Sequence, residues 1–197
     1  MATQIIDIKC PNCGASADTG QKSCKYCKQP IIISTFNSVY DMPMPMINKY
    51  AGAYRKALTE SPENQELNNA AAMCYLKLKL YDKAIDAFEK AMEDNFDNSE
   101  TFFYAAICLL KGDSAFSASR ETINKIEEYI NAALMIEPKG IYHYFLAYIK
   151  YDFYHRKFYN ASPTYQEAFK MANDTGFSPF DTEQLFGILG VNRPDVL

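Results

Sequence analysis

The feature that most constrains the fold of this chain is the stretch over residues 65–98, QELNNAAAMCYLKLKLYDKAIDAFEKAMEDNFDN. Small and aromatic residues recur in it at spacings of three and four on either side of a break at residues 80–82: Ala71, Ala72 and Tyr75 come before it, and Ala84, Phe88 and Ala91 after it. Such spacings place side chains on one face of a helix. The stretch therefore predicts two amphipathic helices that approach closely at the small residues, with aromatic rings filling the space between them.

This stretch resembles a tetratricopeptide repeat (TPR), a helix–turn–helix unit of about 34 residues that stacks into a solenoid. The resemblance extends more loosely over residues 47–172. It implies a mainly α fold, a TPR-like α-solenoid of antiparallel helical hairpins, over residues 47–197. A last helix through Leu189 would cover the open apolar end, as a solenoid requires.

The other repeats are less regular than the first. Residues 47–62 are predicted to form a capping half-repeat. The second repeat carries an insertion over residues 113–121, and insertions of this kind map to loops on one face of a solenoid. The third spans about residues 141–177, and its second helix is predicted to begin at Ser162-Pro163, a cap followed by a first-turn proline.

The N-terminal segment carries four cysteines in two C-x-x-C pairs: Cys10, Cys13, Cys24 and Cys27. Each pair can wrap two thiolates around one ion, and two pairs complete a tetrahedral four-sulfur shell that suits Zn²⁺. Isoleucines predict a short strand before the first pair and a returning strand at residues 31–33. About thirty residues cannot bury a sufficient core alone. We therefore predict a zinc ribbon over residues 1–34, with one structural zinc per chain.

Two other uses of these cysteines stay open at the level of sequence. A rubredoxin-like iron site uses the same four thiolates, and a redox dithiol uses one C-x-x-C pair. Zinc is favoured over iron because it is the commoner occupant of such a ribbon. A thioredoxin-like dithiol is disfavoured because it would lie at the start of a helix in an α/β domain, which this sequence does not predict. A four-thiolate shell has no open position for substrate, which argues against catalysis by the metal.

Residues 35–46 are predicted to be an extended linker between the ribbon and the helical repeat domain, residues 47–197. Pro43 and Pro45 disfavour a regular helix and favour an extended path. Three methionines alternate with these prolines. Methionine fills irregular gaps, so this segment is expected to pack against the helical domain.

Composition and motifs argue against several function classes. A net charge of −4 offers no global attraction to nucleic acid or to an anionic membrane. The N-terminus does not read as a signal peptide and no apolar run reaches ~18 residues, so we expect a cytoplasmic protein without a membrane segment. No Ser-His-Asp order, phosphate loop or dinucleotide fingerprint is present, and we predict neither an enzyme nor a small-molecule substrate.

The TPR resemblance also implies a binding groove. In this family the first helix of each repeat lines the concave surface that holds a peptide or a partner helix. A fixed offset along these helices gives the candidate lining: Asn69, Met73, Lys77, Phe103, Ile107, Lys111, Tyr142, Phe145, Ile149 and Phe153. This surface is mostly apolar and aromatic, and an exposed apolar strip of that size indicates a partner.

Other roles for this surface stay open. The linker or the C-terminal helix could lie in the groove, and the aromatic run over residues 142–159 could pack between helices. The version of the family that clamps a C-terminal carboxylate needs repeated Lys and Asn residues. Only Asn69 and Lys77 fit that pattern loosely, so this specificity is not expected.

The sequence thus predicts a zinc-binding adaptor whose repeats hold a protein or peptide partner. The alternative is a regulator that contacts nucleic acid through the ribbon. Four lysines against two aspartates give residues 1–30 a charge of +2. Four thiolates on Zn²⁺ add −2, which leaves the ribbon near neutral and makes nucleic acid the weaker prediction.

Overall fold

The computed structural model describes residues 5–93 and 96–197, and it confirms the predicted mainly α fold with TPR-like helical hairpins. Helix accounts for 60% of the chain, and the strands lie within the first 35 residues. The chain divides into two compact units, residues 1–95 and residues 96–197. Among the residues described, no helix has the length and apolarity needed to cross a membrane. The predicted domain boundaries, after residues 34 and 46, stay a prediction.

The described residues form two strands and nine α-helices. The strands are β1 (Asp7–Lys9) and β2 (Ser16–Asp18). The helices of the first unit are α1 (Asn37–Tyr40), α2 (Met44–Leu58), α3 (Gln65–Lys77) and α4 (Tyr81–Met92). The helices of the second unit are α5 (Ser99–Cys108), α6 (Arg120–Ile136), α7 (Gly140–Ile149), α8 (Tyr165–Thr175) and α9 (Pro179–Leu189).

The N-terminal segment folds as a small antiparallel hairpin rather than as the predicted pair of outer strands. β1 pairs with β2, with Ile8 opposite Ala17. The returning strand predicted at residues 31–33 is wrong, because these residues join no sheet. The N–H of Ile33 and the carbonyl of Ile31 instead bond to the hydroxyl of Tyr54 in α2. A tyrosine hydroxyl both accepts and donates, so it satisfies the backbone polar groups that a neighbouring strand would otherwise satisfy.

The predicted extended path of residues 35–46 is also wrong. Residues 37–40 form the single turn of α1, and α2 already begins at Met44. Pro45 lies in the first turn of α2, where backbone N–H groups have no partner within the helix in any case. The ring therefore costs no hydrogen bond there, and its fixed φ suits the helix.

The hairpin of α3 and α4 has the structure that the spacing of residues 65–98 predicts. The Asn64 side chain caps α3 by accepting the N–H of Leu67 at 2.9 Å. The small residues predicted at the contact, Ala71 and Ala84, are fully buried. Phe88 lies fully buried on the facing helix, so the phase of the pattern is confirmed.

The second unit contains two more helical hairpins and a terminal helix. α5 packs with α6 and α7 packs with α8, while α9 contacts both α5 and α7. α8 begins later than predicted: its N-cap is Thr164, which forms a reciprocal capping box with Glu167. That pair satisfies two backbone N–H groups, which is why the helix begins there and not at Ser162.

The insertion predicted at residues 113–121 is tied to the end of α7. It contains one 3₁₀ turn, Ala115–Ser117. The N–H of Phe116 donates to the Asp152 carboxylate at 2.8 Å, and the N–H of Ala115 donates to the Tyr148 hydroxyl at 3.3 Å. The insertion is therefore attached to α7 and the residues just after it by hydrogen bonds from its backbone to side chains.

The contact between the start of α7 and the end of α8 gives a stability prediction. A Cβ on Gly140 would collide with the carbonyl group of Gly176, at the contact between α7 and α8. We expect Gly140→Ala to lower the free energy of unfolding by about 1–3 kcal/mol, since backbone must move to admit the methyl group. The measurement is urea denaturation.

The matched control for that substitution is Gly52→Ala in α2, where a Cβ would meet no atom within 4 Å. Alanine is the better helix former, so this change should raise stability by up to about 1 kcal/mol. Equal unfolding midpoints for Gly140→Ala and the parent protein would show that the helices do not approach as closely as described.

Candidate metal centre and partner surface

The four N-terminal cysteines come together as a single cluster. Their sulfur atoms all lie within 4.8 Å of one another. The Sγ atoms of Cys10 and Cys27 are 3.6 Å apart, as are those of Cys13 and Cys24. Zn–S bonds of about 2.3 Å in a tetrahedral shell imply S···S distances of about 3.8 Å, whereas a disulfide bond is about 2.05 Å long. The cluster therefore has the dimensions of a four-thiolate metal site, with all four thiols free.

Two backbone turns of the same design present these sulfurs. In the first turn the N–H of Gly14 donates to the Cys10 carbonyl at 2.9 Å. In the second, the N–H of Lys28 donates to the Cys24 carbonyl at 3.0 Å. Gly14 and Lys28 occupy equivalent positions and both have positive φ, +76° and +63°. The C-x-x-C spacing thus produces the same local structure twice, with one sulfur at each end of each turn.

Hydrogen bonds to the sulfurs set their electrostatics. The backbone at Gln29 and the side chain of Asn12 hydrogen-bond to Cys27 and lower the pKa of its thiol to about 6. Backbone hydrogen bonds from Cys27 and Tyr26 likewise lower the pKa of Cys24. At Cys13 the backbone hydrogen bond from Ala15 is outweighed by desolvation and by the three neighbouring thiols, which raise its pKa to about 12.

The donor set fits a structural zinc ion. Without a cation, four adjacent thiolates would repel one another, and a dication relieves that repulsion. Four sulfur ligands suit Zn²⁺ and complete its tetrahedral shell. Cys10 and Cys24 are buried, while Cys13 is exposed, so one side of the centre faces solvent. Such a site would fix the two turns relative to each other.

The segment after the second cysteine pair docks on α2 through two tyrosines. The Tyr50 hydroxyl donates to the Pro30 carbonyl at 2.8 Å. One turn further along α2, the Tyr54 hydroxyl donates to the Ile31 carbonyl at 2.9 Å and accepts the Ile33 N–H at 3.0 Å. These anchors were not predicted from sequence. The available signal was the spacing of four between the tyrosines, which places both on one face of α2.

The predicted groove is not an open surface. All of its proposed lining residues except the two lysines are buried: Asn69, Met73, Phe103, Ile107, Tyr142, Phe145, Ile149 and Phe153. Lys77 is half-buried and Lys111 is exposed. The expectation that Phe103, Phe145 and Ile149 lie on an open surface is therefore wrong.

In the second unit, aromatic packing and the last helix close this surface. The ring of Phe103 lies 4.5 Å from that of Tyr142 and 5.8 Å from that of Phe145, between centroids. The Phe186 ring of α9 lies 5.5 Å from that of Tyr148. Both alternatives to an open groove, internal packing and cover by the C-terminal helix, thus apply here.

In the first unit, the segment before α2 covers part of the corresponding helix. α1 packs against α3. The Lys77 ammonium lies 4.7 Å from the centre of the Tyr40 ring and also donates to the Tyr40 carbonyl. Lys77, predicted to line the groove, therefore holds a residue of the chain's own linker.

Comparison with known proteins agrees with this architecture. Residues 51–111, from α2 through the end of α5, match the model of the tetratricopeptide repeat family. No curated protein sequence gives a significant match. The solved structure named "MamA MSR-1 C2" is similar, with 18% identity, a TM-score of 0.50 and coverage of 71% of this chain and 82% of that chain. The one named "MamA AMB-1 P212121" has 19% identity, a TM-score of 0.49 and coverage of 75% and 84%. At such identity the first of these shows a shared fold.

The left-handed residue of the second turn gives a prediction about metal affinity. Lysine at positive φ is disfavoured by about 1–2 kcal/mol relative to the right-handed region, and glycine is not. Lys28→Gly also removes the exposed hydrogen bond from the Lys28 ammonium to the Lys25 carbonyl. The net result should be zinc binding that is several-fold tighter. The measurement is competition with a chromophoric chelator.

Lys25→Gly is the matched control, because Lys25 is not among the residues with positive φ in the described structure. This change should leave zinc affinity equal or weaker, since glycine adds freedom to the unfolded chain without relieving strain. An affinity gain at position 25 that equals the gain at position 28 would contradict the described turn.

Proposed function

We propose that this protein is a zinc-binding protein-interaction scaffold, in which a structural zinc ribbon is built onto TPR-like helical hairpins. The observation that carries the proposal is the cluster of Cys10, Cys13, Cys24 and Cys27 in a ribbon that docks directly on α2. A closed four-thiolate shell supplies stability rather than an open site for chemistry. Helical hairpins stacked side by side supply extended surfaces for partners.

The role of the zinc follows from the chain path between the metal site and α2. Cys27 is a ligand, and Pro30 begins the segment that bonds to Tyr50 and Tyr54. Ile31 and Ile33 are fully buried in the same unit. A metal that fixes Cys27 therefore also fixes the start of a buried segment on the helices. The ribbon acts as an N-terminal cap of the first helical unit.

The scaffold role rests on the repeat match. The family match over residues 51–111 supports a protein or peptide partner. The buried lining residues mean that a partner is held on other faces of the helices. A four-thiolate site persists where thiols stay reduced, which favours the cytoplasm.

A second candidate function draws on the ribbon itself. Tyr26 is 78% exposed and lies between Lys25 and Lys28 on the second turn. An exposed ring beside cations is a platform on which a nucleic-acid base can stack. This candidate predicts a steep loss of affinity for single-stranded oligonucleotides as salt rises. The scaffold proposal predicts no such binding.

The first test is metal content. Purified, reduced protein should contain about one zinc per chain. Cys27→Ser should lose the zinc and lower the melting temperature of the first unit. Cys74→Ala should keep it, because Cys74 is a core cysteine whose burial raises its pKa to about 12. Protein that binds neither zinc nor iron would defeat the metal part of the proposal.

The second part of the test is partner capture from native lysate, followed by reconstitution of the complex from purified components. Saturable binding to one protein that Tyr26→Ala leaves unchanged supports the scaffold. Binding only to an oligonucleotide, abolished by salt and by Tyr26→Ala, would support the second candidate instead.

A further inference from the structure

A group of cationic and exposed aromatic side chains lies where the 113–121 insertion meets the end of α7. We name it the basic–aromatic face. Its members come from the insertion, from the first residue of α6 and from the segment after α7: Phe116, Arg120, Arg156, Lys157, Phe158 and Tyr159. Neither the metal centre nor the predicted groove uses any of these residues.

Buried rings hold the cations of this face in place. The Lys157 ammonium lies 4.0 Å from the centre of the Phe153 ring, and the Arg120 guanidinium carbon lies 4.8 Å from that of Tyr154. Phe153 and Tyr154 are themselves buried. Cation–π attraction to a fixed ring restricts where each long side chain can go. The cations are therefore ordered before any ligand arrives.

The face carries positive charge that the described part of the chain does not neutralise. Arg156 pairs with the buried Asp152, which also accepts the N–H of Phe116. In the described residues no carboxylate lies within ion-pair distance of Arg120 or Lys157, although the chain as a whole has a net charge of −4. Two ordered, unpaired cations on an acidic protein form a local site for an anionic partner.

The aromatic residues beside these cations are unfavourable for the stability of the isolated protein. Phe158 has φ +58° and is 95% exposed, and Tyr159 is 53% exposed. Positive φ is uncommon for an aromatic residue, and Asn or Gly would fit this backbone better. The segment just before it is a π-helix (Lys150–Tyr154) and a 3₁₀ turn (His155–Lys157), and irregular helical segments occur frequently at functional sites. Neither burial nor backbone preference accounts for a phenylalanine here.

We propose that the basic–aromatic face docks an acidic peptide segment of a partner protein. Carboxylates of the peptide pair with Arg120 and Lys157, and its apolar side chains pack on Phe158 and Tyr159. A few exposed aromatic anchors beside fixed cations are a common composition for a peptide-binding hot spot. This proposal rests on the scaffold function and names the chemistry of its partner.

The charge count favours a peptide over a nucleic acid or a membrane. Nucleic-acid affinity grows with the number of phosphates neutralised, and two unpaired cations neutralise few. Polybasic membrane segments usually carry about 4–8 clustered Lys or Arg residues. The Phe116 ring already contacts cations of the protein itself, since the guanidinium carbon of Arg156 lies 4.5 Å and the Lys157 ammonium 5.0 Å from its centre. Two or three peptide carboxylates are enough to pair with the unpaired cations of this face.

The test is fluorescence anisotropy with a short labelled peptide that carries aspartates on both sides of two phenylalanines. The wild-type chain should bind it, and the double change Arg120→Gln plus Lys157→Gln should weaken binding about ten-fold or more. Binding should weaken as salt rises. A peptide with lysines in place of the aspartates should not bind. Met135→Ala, at an apolar side chain that is 88% exposed on α6, is the control and should bind as the wild type does.

Phe158→Asn separates binding from folding. Asparagine tolerates positive φ and water, so the melting temperature should stay equal or rise, while peptide affinity falls about ten-fold. Lower stability together with unchanged affinity would overturn the proposal, and so would failure of the wild-type chain to bind the aspartate peptide. Tighter binding of oligothymidylate or of phosphatidylserine vesicles, lost with the same variants, would also overturn it.

The outcome for the scaffold function can be read independently. If the partner captured from lysate binds Phe158→Asn protein and wild-type protein equally, the scaffold stands and this docking face is wrong. If wild-type protein captures no partner that survives reconstitution, the scaffold function itself fails, whatever the peptide does.

Discussion

Close approach of helix backbones at small residues is the constraint on which the rest of this structure depends. Ala71 and Ala84 are fully buried in the first hairpin, as are Ala168 and Ala172 on α8 in the second unit. At Gly140 even a methyl group would collide with a backbone carbonyl. Larger residues at these positions would separate the helices and leave the surrounding aromatic side chains without neighbours, at the cost that cavities carry in a packed interior.

Buried tyrosines connect the irregular segments to this helical frame. The Tyr54 hydroxyl accepts the N–H of Ile33, and the Tyr148 hydroxyl accepts the N–H of Ala115 in the insertion. A buried hydroxyl without a partner is destabilising, so each tyrosine favours the one position of its segment that satisfies it. The same ring supplies apolar area to the core. This double use of tyrosine attaches segments without regular secondary structure to the helices.

The sequence predicted the features that are set by interactions between residues close together in the chain, and it missed those set by residues far apart. Spacings of three and four fixed the α3–α4 hairpin, and the two C-x-x-C pairs fixed the cysteine cluster. The groove prediction was wrong because α9 folds back onto α5 and α7, and no local pattern in α5 indicates that. The strand predicted at residues 31–33 was wrong for the same reason, since its hydrogen-bond partner is a hydroxyl on a later helix. The face around Phe158 was missed because an αL conformation at a phenylalanine has no sequence signature.

Hydrogen exchange with and without zinc tests the central claim, that the metal centre places the ribbon on the helices, most directly. The amide of Ile33 donates to the Tyr54 hydroxyl in the interior of the first unit, and amides in the middle of α7 serve as an internal reference. Chelation of the zinc should raise exchange at Ile33 and across the two cysteine turns, and readdition should restore protection. Protection at Ile33 that is the same with and without metal would contradict the account, because the docked segment would then be held by α2 alone.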